Sequence, residues 1–298
     1  MTASPGAAPH LASTQATPTH GALEFGTVMG YRPLELDLYL PAAAISQAPV
    51  PAPVIVFIHG GGWRVGSRRS FGPAFQDWDP SPFQRLADAG FAVASIDYRL
   101  SAEAVFPAQL DDVRTAAQWL AANADRFGID AQRMVLWGES AGGHLAALLG
   151  LTGTGESTID GGTAPPAARV VGVVDWYGPA DLSTMREQSR ADAVTAPDSP
   201  DSRESMLLGA PLADSPELAA AASPVTYVHA DAPAFYLAHG REDRFVPTGQ
   251  SEQLAAALRA AGASVRLRLV DGADHMWRGS SELSDIFTDA LDFARSVV

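Results

Sequence analysis

The sequence predicts an α/β fold: a mostly parallel sheet with helices on both faces and a small helical cap inserted in its second half. Three features carry that expectation. Short, fully apolar, β-branched runs recur along the chain, stretches with apolar residues at helical spacing separate them, and one polar segment, Leu182 to Ala222, interrupts the alternation without a strand signal. A strand covered on both faces has no solvated side to keep polar, so it reads as a continuous apolar run. Parallel neighbours need a crossover between them, and a helix is the usual one.

Taken in order, residues 1–22 read as a flexible leader. Met1 to His20 is rich in Ala, Pro, Ser and Thr, has no Lys or Arg and no continuous apolar run. It therefore offers neither the charged nor the apolar region of a signal peptide, and the expected location is the cytoplasm. Residues 23–298 are expected to form one domain. Leu34 to Tyr39 alternates apolar positions with Glu35 and Asp37, the pattern of an antiparallel edge strand with one wet face. Val54 to Ile58 is the first buried strand, and Phe91 to Ile96, Met134 to Trp137, Val170 to Trp176, Phe235 to Ala238 and Val265 to Leu269 repeat its pattern. Helices are expected over Phe83 to Ala89, Pro107 to Asn123, Ala141 to Leu149, Ser251 to Ala261 and Ser284 to Val297; in the second, Leu110, Val113, Ala117 and Leu120 share a face. A structureless loop as long as residues 182–222 is rare inside a domain, so this segment is expected to be a cap, with helices over Asp201 to Leu208 and Pro216 to Ala222.

Composition narrows the function. Across 298 residues, 20 Lys and Arg against 34 Asp and Glu leave a net charge of −14, which repels phosphate backbones and anionic headgroups. Arg68-Arg69 is the one basic pair that interrupts it, so neither nucleic acid nor membrane is expected as a partner. Cysteine is absent, which removes disulfides, thiolate metal sites and a thiol nucleophile, and covalent chemistry must use oxygen or nitrogen. No apolar run approaches the roughly 18 residues of a membrane span.

The sharpest motif is Gly138-Glu139-Ser140-Ala141-Gly142, placed directly after one apolar strand and before an Ala/Leu-rich helix, the strand–turn–helix setting of a nucleophile elbow. A serine forced into a sharp turn crowds its neighbours' Cβ positions, so those neighbours shrink to glycine. The helix behind it points its positive end at Ser140 and at any anion that develops there. A serine hydroxyl needs a base, and the order nucleophile, acid, histidine directs the search downstream. Asp243 lies in the loop after the strand Phe235 to Ala238, and His275 in the loop after Val265 to Leu269, both at the carboxyl ends where open α/β sheets place their sites. Glu242, Asp271 and Asp274 are rival acids; Asp243 is favoured by its place in the motif. The other histidines, His10, His20, His59, His144, His229 and His239, read as structural.

His59-Gly60-Gly61-Gly62-Trp63 follows the first buried strand. Consecutive glycines let backbone N–H groups approach a reacting oxygen closely, so Gly61 and Gly62, with Ala141 after the serine, are the expected oxyanion hole. Trp63, Trp176 and Tyr177 are the candidates for a substrate pocket that favours aromatic groups, and Met185, Met206 and Leu207 face either substrate or the cap's own core. Asp97 and Arg99, with Asp111 or Asp112 and with Glu139 joining, are expected to form an ion-pair network behind the glycines.

The set His59-Gly-Gly-Gly62, Asp97-Tyr98-Arg99-Leu100, Phe106-Pro107-Ala108 with Asp111-Asp112, Gly138-Glu-Ser-Ala-Gly-Gly-His144 and His239-Gly-x-x-Asp243-x-x-Val-Pro247 resembles the α/β-hydrolase superfamily. Within it, residues 24–298 are most similar to the hormone-sensitive-lipase-like and bacterial feruloyl-esterase-like carboxylesterases. The resemblance implies an eight-stranded sheet and a serine carboxylesterase that acts on a small-molecule ester without cofactor or metal. It assigns Ser140, His275 and Asp243 to the triad and leaves a homodimer through edge strands or terminal helices open. Two departures matter. The amino-terminal cap helices of the lipase-like group are not expected, since only the leader precedes the first strand, and the short cap favours small soluble esters over long-chain lipids. Trp63 after the glycines is also similar to arylformamidases of the same fold, which keeps small amides as an alternative substrate class. Non-catalytic binding relatives, such as gibberellin receptors, typically lose a triad member, whereas all three residues are present here.

Overall fold

Alternation along the central strand explains the layering. In β3 (Ala52–Ile58), Val54, Val56 and Ile58 point to one face and pack with Val113, Leu145 and Leu254, while Ile55 and Phe57 point to the other and pack with Phe83, Leu86, Phe287 and Phe293. The first face is covered by helices Ala108–Ala122, Ala141–Thr152 and Gly249–Ala261, the second by Pro82–Asp88 and Leu283–Val297. Burying one such Phe or Leu contributes about 1.5–3 kcal/mol, and both faces of the strand collect that term.

The computed structural model describes residues 17–46, 50–155 and 168–298. The remaining strands are β1 (His20–Gly26), β2 (Leu34–Tyr39), β4 (Ala92–Ile96), β5 (Ile129–Glu139), β6 (Val170–Trp176), β7 (Ala234–Gly240) and β8 (Val265–Val270). They form one sheet of 8 strands in the order β1-β2-β4-β3-β5-β6-β7-β8, with β2 antiparallel to both neighbours, β1 and β4, and every other pairing parallel. From β3 the chain crosses to β4 on one side, and β5 lies on the other, so the loops leaving the carboxyl ends of β3 and β5 diverge and open a crevice. No helix among the described residues is long and apolar enough to cross a membrane.

The amino-terminal end departs from expectation. Residues 1–16, most of the expected leader, lie outside the described residues, and from His20 the chain is already strand β1. Leu34 to Tyr39 is antiparallel as expected but is not the edge, because β1 pairs outside it. Asp37 is accordingly not wet; it is buried against Arg68 at 3.0 Å. The wet strand is β1, whose two glycines and lack of β-branched residues hid it.

The segment over residues 182–222 carries short helices at Met185–Gln188, Arg203–Leu208 and Pro216–Ala221. The second starts at Arg203 because the Ser202 side chain accepts from Ser205 N–H at 3.0 Å, an N-cap. Met185 and Leu207 are fully buried, packing rather than facing a ligand. The Gln250 side chain ties the segment's entry to the helix Gly249–Ala261 by accepting from Ala180 and Asp181 N–H, both at 2.8 Å.

Candidate active site

Ser140 sits between β5 and the helix Ala141–Thr152 with φ 52° and ψ −120°, outside the ordinary regions for an L-residue. The turn is that tight because its flanks nearly touch. A Cβ on Gly142 would stand 1.9 Å from the Ile58 carbonyl oxygen, and one on Gly138 would stand 2.1 Å from that of Gly142. The turn is held by Ser140 N–H donating to the Trp176 carbonyl at 2.8 Å.

The crevice brings Ser140, His275 and Asp243 together. Ser140 Oγ is 3.0 Å from His275 Nε2, and His275 Nδ1 is 2.7 Å from Asp243 Oδ2. Asp243 is buried, and its other oxygen, Oδ1, accepts from Phe245 N–H at 2.8 Å and Val246 N–H at 2.9 Å. Burial by itself would raise its pKa; hydrogen bonds from His239 and His275, and their charge, outweigh burial and hold the carboxyl well below the usual carboxylate range. The rival acids are elsewhere. Glu242 pairs with Arg190, Asp271 with Arg241, and Asp274 with Arg244, where it also accepts the backbone N–H of His275.

Gly61 and Gly62 both have positive φ, and with Ala141 they line the same cavity as Ser140 and His275, a space of about 400 Å³. Two buried contacts seat the glycine loop against the elbow. Glu139 receives the Gly60 N–H and, at 2.7 Å, the Tyr177 hydroxyl; burial pushes its carboxyl up to about 7 against both of those bonds. Trp63 Nε1 donates to His144 Nδ1 at 3.3 Å, and His144 Nε2 donates to the Ala222 carbonyl at 2.6 Å. That chain fixes the neutral tautomer of His144, and burial lowers its pKa to about 4 while the Ala222 carbonyl opposes the change.

The sequence-based pocket needs correction. Trp63 lines the cavity, but Trp176 and Tyr177 do not. Trp176 belongs to an aromatic cluster behind the site, with Phe75 at 5.5 Å and Trp277 at 5.6 Å between ring centres, and Tyr177 is turned onto Glu139. Tyr177 lies just past the strand end with a positive φ, and both rings pack against Trp277 instead of facing the cavity. The expected network also divides. Arg99 takes Asp112 at 2.6 Å, whereas Asp97 goes to Arg68 at 2.6 Å, Asp111 goes to Arg114, and Glu139 joins neither.

The BD-FAE family model matches residues 36–258, a span that holds the glycine loop, the elbow and Asp243. The chain belongs to the BD-FAE family. It is 35% identical over 229 residues to esterase LipC of Mycobacterium tuberculosis, covering 76% of this chain and 53% of that protein. It is 32% identical over 216 residues to esterase LipQ of the same organism, covering 72% of this chain and 47% of that protein. The chain thus spans about half the length of these curated relatives. Among solved structures, a truncated carbohydrate esterase from gut microbiota superposes with TM-score 0.74 at 28% identity, covering 96% of this chain and 97% of that one. A propionate-bound thermophilic esterase from Thermogutta terrifontis shares the fold, with TM-score 0.69 at 24% identity over 94% of this chain and 93% of the other. The fold is that of the α/β-hydrolases.

Three residues of this BD-FAE site escaped the sequence reading. His239, read as structural, places Nε2 3.3 Å from Asp243 Oδ2 and 3.0 Å from the Val246 carbonyl, with Nδ1 2.7 Å from Ser251 Oγ. Its spacing of four from Asp243 was the available signal. Phe245 stacks on the His275 ring at 5.2 Å between centres, and its place two residues after Asp243 marked it. Arg203 lines the cavity from the cap segment, and nothing local in the sequence announces that.

Proposed function

We propose that the chain is a serine hydrolase of carboxylic esters, with Ser140 as nucleophile, His275 as general base and acid, and Asp243 as the carboxylate that orients the imidazole. The observation that carries this reading is the pair of contacts at 3.0 Å and 2.7 Å joining the three side chains at the wall of a cavity. Family membership and the esterase names of LipC and LipQ support it. His275 Nε2 takes the hydroxyl proton as Ser140 Oγ attacks the ester carbonyl carbon. The carbonyl oxygen becomes an oxyanion received by the N–H groups of Gly61, Gly62 and Ala141, at the positive end of the helix Ala141–Thr152. Asp243 stabilises the imidazolium through Nδ1. The tetrahedral intermediate collapses, the C–O bond to the alcohol breaks, and His275 hands its proton to the leaving oxygen. Water then attacks the acyl-serine with His275 as base, releasing the acid and restoring Ser140. Every step uses protein groups and water.

A cavity of about 400 Å³ suits a small ester with a short acyl or aryl group. The test is hydrolysis of p-nitrophenyl esters from acetyl to palmitoyl, with an aryl N-formamide alongside, by wild type and Ser140→Ala. Fastest turnover of short acyl esters with a dead variant supports the reading. Turnover of the formamide alone moves the substrate class to amides, and no turnover of either refutes hydrolysis.

A further inference from the structure

We propose that Arg203 makes this site selective for esters whose alcohol or phenol carries a carboxylate, which the guanidinium receives beside the leaving oxygen. The inference rests on the ester-hydrolase reading above and goes further by naming the substrate class.

Arg203 opens the short helix Arg203–Leu208 of the cap segment, is half-buried, and shares the cavity wall with Ser140 and His275. Its stem lies on the glycine loop: a Cβ added to Gly62 would stand 2.3 Å from Arg203 Cδ and 2.8 Å from its Nε. Its guanidinium carbon is 5.6 Å from the centre of the Phe245 ring, which in turn stacks on His275. The cation therefore reaches from the oxyanion loop to the flank of the imidazole. His275 delivers its proton to the leaving oxygen, so the alcohol half of the ester lies on the His275 side, where Phe245 and then Arg203 form the wall.

Among the described residues the Arg203 guanidinium is in no direct ion pair, although burial raises the pKa of its neighbour Glu204 and the Arg203 charge lowers it. Arg68, Arg99 and Arg244 are each held by a carboxylate, whereas among the described residues no carboxylate reaches ion-pair distance of Arg203. Two acidic groups share its surroundings. Asp201 is exposed and feels Arg64, and Glu204, buried in the same wall, hydrogen-bonds Ser202 and its own backbone N–H. A guanidinium presents a planar fork of donors that fits a carboxylate with two parallel bonds. In a chain of net charge −14, whose surface repels anions, a half-buried cation at the cavity wall supplies the local attraction that such a substrate needs.

The test uses para-acetoxybenzoate and its methyl ester, which share the acetyl group and differ in the charge of the leaving phenol. The kcat/KM of both is measured for wild type, R203Q and R203K, with circular dichroism and thermal melting to show that each variant is folded. The two phenols differ in intrinsic reactivity, but comparing the anionic-to-neutral ratio between proteins cancels that difference. R203Q is expected to lower the ratio about tenfold or more, R203K to retain part of it, and added salt to lower the wild-type ratio. A ratio that stays within about twofold of wild type in R203Q overturns the inference while leaving ester hydrolysis intact. A ratio that moves instead for p-nitrophenyl esters of a dicarboxylic acid, against the matched neutral acyl ester, overturns the leaving-group placement. A wild type that cleaves p-nitrophenyl acetate but neither of these acetates overturns the inference alone, whereas failure on the p-nitrophenyl esters as well removes the ester-hydrolase reading and this inference with it.

Discussion

Asp243→Asn tests whether the carboxylate sets the tautomer of His275. In the wild type, Oδ1 accepts two backbone N–H groups at 2.8 and 2.9 Å, and Oδ2 faces His275 Nδ1 at 2.7 Å. The asparagine keeps its oxygen at the Oδ1 position, because an NH2 there would meet two backbone donors at 2.8 and 2.9 Å, against the one longer approach of His239 Nε2 at 3.3 Å on the Oδ2 side. The NH2 is then forced to the Oδ2 position and donates to His275 Nδ1. The ring proton moves to Nε2, which now donates to Ser140 Oγ instead of accepting from it, and the serine has lost its base. Turnover should fall on the order of 10⁴-fold, about 5 kcal/mol of barrier, with KM little changed. The same substitution has a stability signature. A carboxyl held below its ordinary pKa contributes stability that is present above that ordinary value and lost as pH falls through the folded one. Wild type should therefore lose stability below about pH 4, and Asp243→Asn should lack that share of the loss. Steady-state hydrolysis of p-nitrophenyl acetate and urea unfolding across pH measure both. A variant within about tenfold of wild-type kcat would refute the tautomer argument.

Other expectations follow from single contacts. Ser140→Ala removes only the hydroxyl that meets His275, so urea unfolding should match wild type within about 0.5 kcal/mol while turnover falls on the order of 10⁶-fold. Gly142→Ala puts a methyl 1.9 Å from the Ile58 carbonyl and 2.7 Å from that of His59, and should cost several kcal/mol of stability or block soluble expression. Glu139 is raised by burial to about 7, so the folded state holds its proton more tightly than the unfolded chain, and stability from this group falls as pH rises from the ordinary carboxyl value of 4.5 toward 7. Glu139→Gln, which cannot ionise, should therefore gain on wild type as pH increases across that window in urea melts; a difference that is flat with pH would contradict the burial argument. Trp63→Phe leaves His144 Nδ1 buried without its donor and should cost about 1–3 kcal/mol in the same assay.

The inner parallel strands were legible because burial on both faces demands apolar residues throughout, as in Val54 to Ile58, whereas the edge strand β8 alternates its apolar residues with Arg266 and Arg268. The elbow was legible because Gly138 and Gly142 answer a steric demand that no other residue meets. β1 was not, since its pairing partner β2 supplies the hydrogen bonds that its own composition does not suggest. Trp176 and Tyr177 show a different limit: an aromatic residue at a strand end fits a pocket wall and a core equally well, and the direction it faces is settled by packing with Phe75, Trp277 and Glu139 far away in the chain. Arg203 is the same limit seen from the other side. Its role depends on the cap segment laying it on Gly62 and Phe245, across about 141 and 42 residues of chain, and periodicity carries no record of such contacts.

Ser140 is the activated nucleophile of the proposed mechanism, and covalent labelling measures that directly. The protein is incubated with a p-nitrophenyl phosphate triester, the released p-nitrophenol is counted, and the adduct is located by peptide mass mapping. One equivalent of p-nitrophenol per chain, a single adduct on Ser140, and labelling slowed by orders of magnitude in His275→Ala are the predicted results. An adduct on another cavity hydroxyl, such as Ser70, or wild-type labelling no faster than that of His275→Ala, would contradict it.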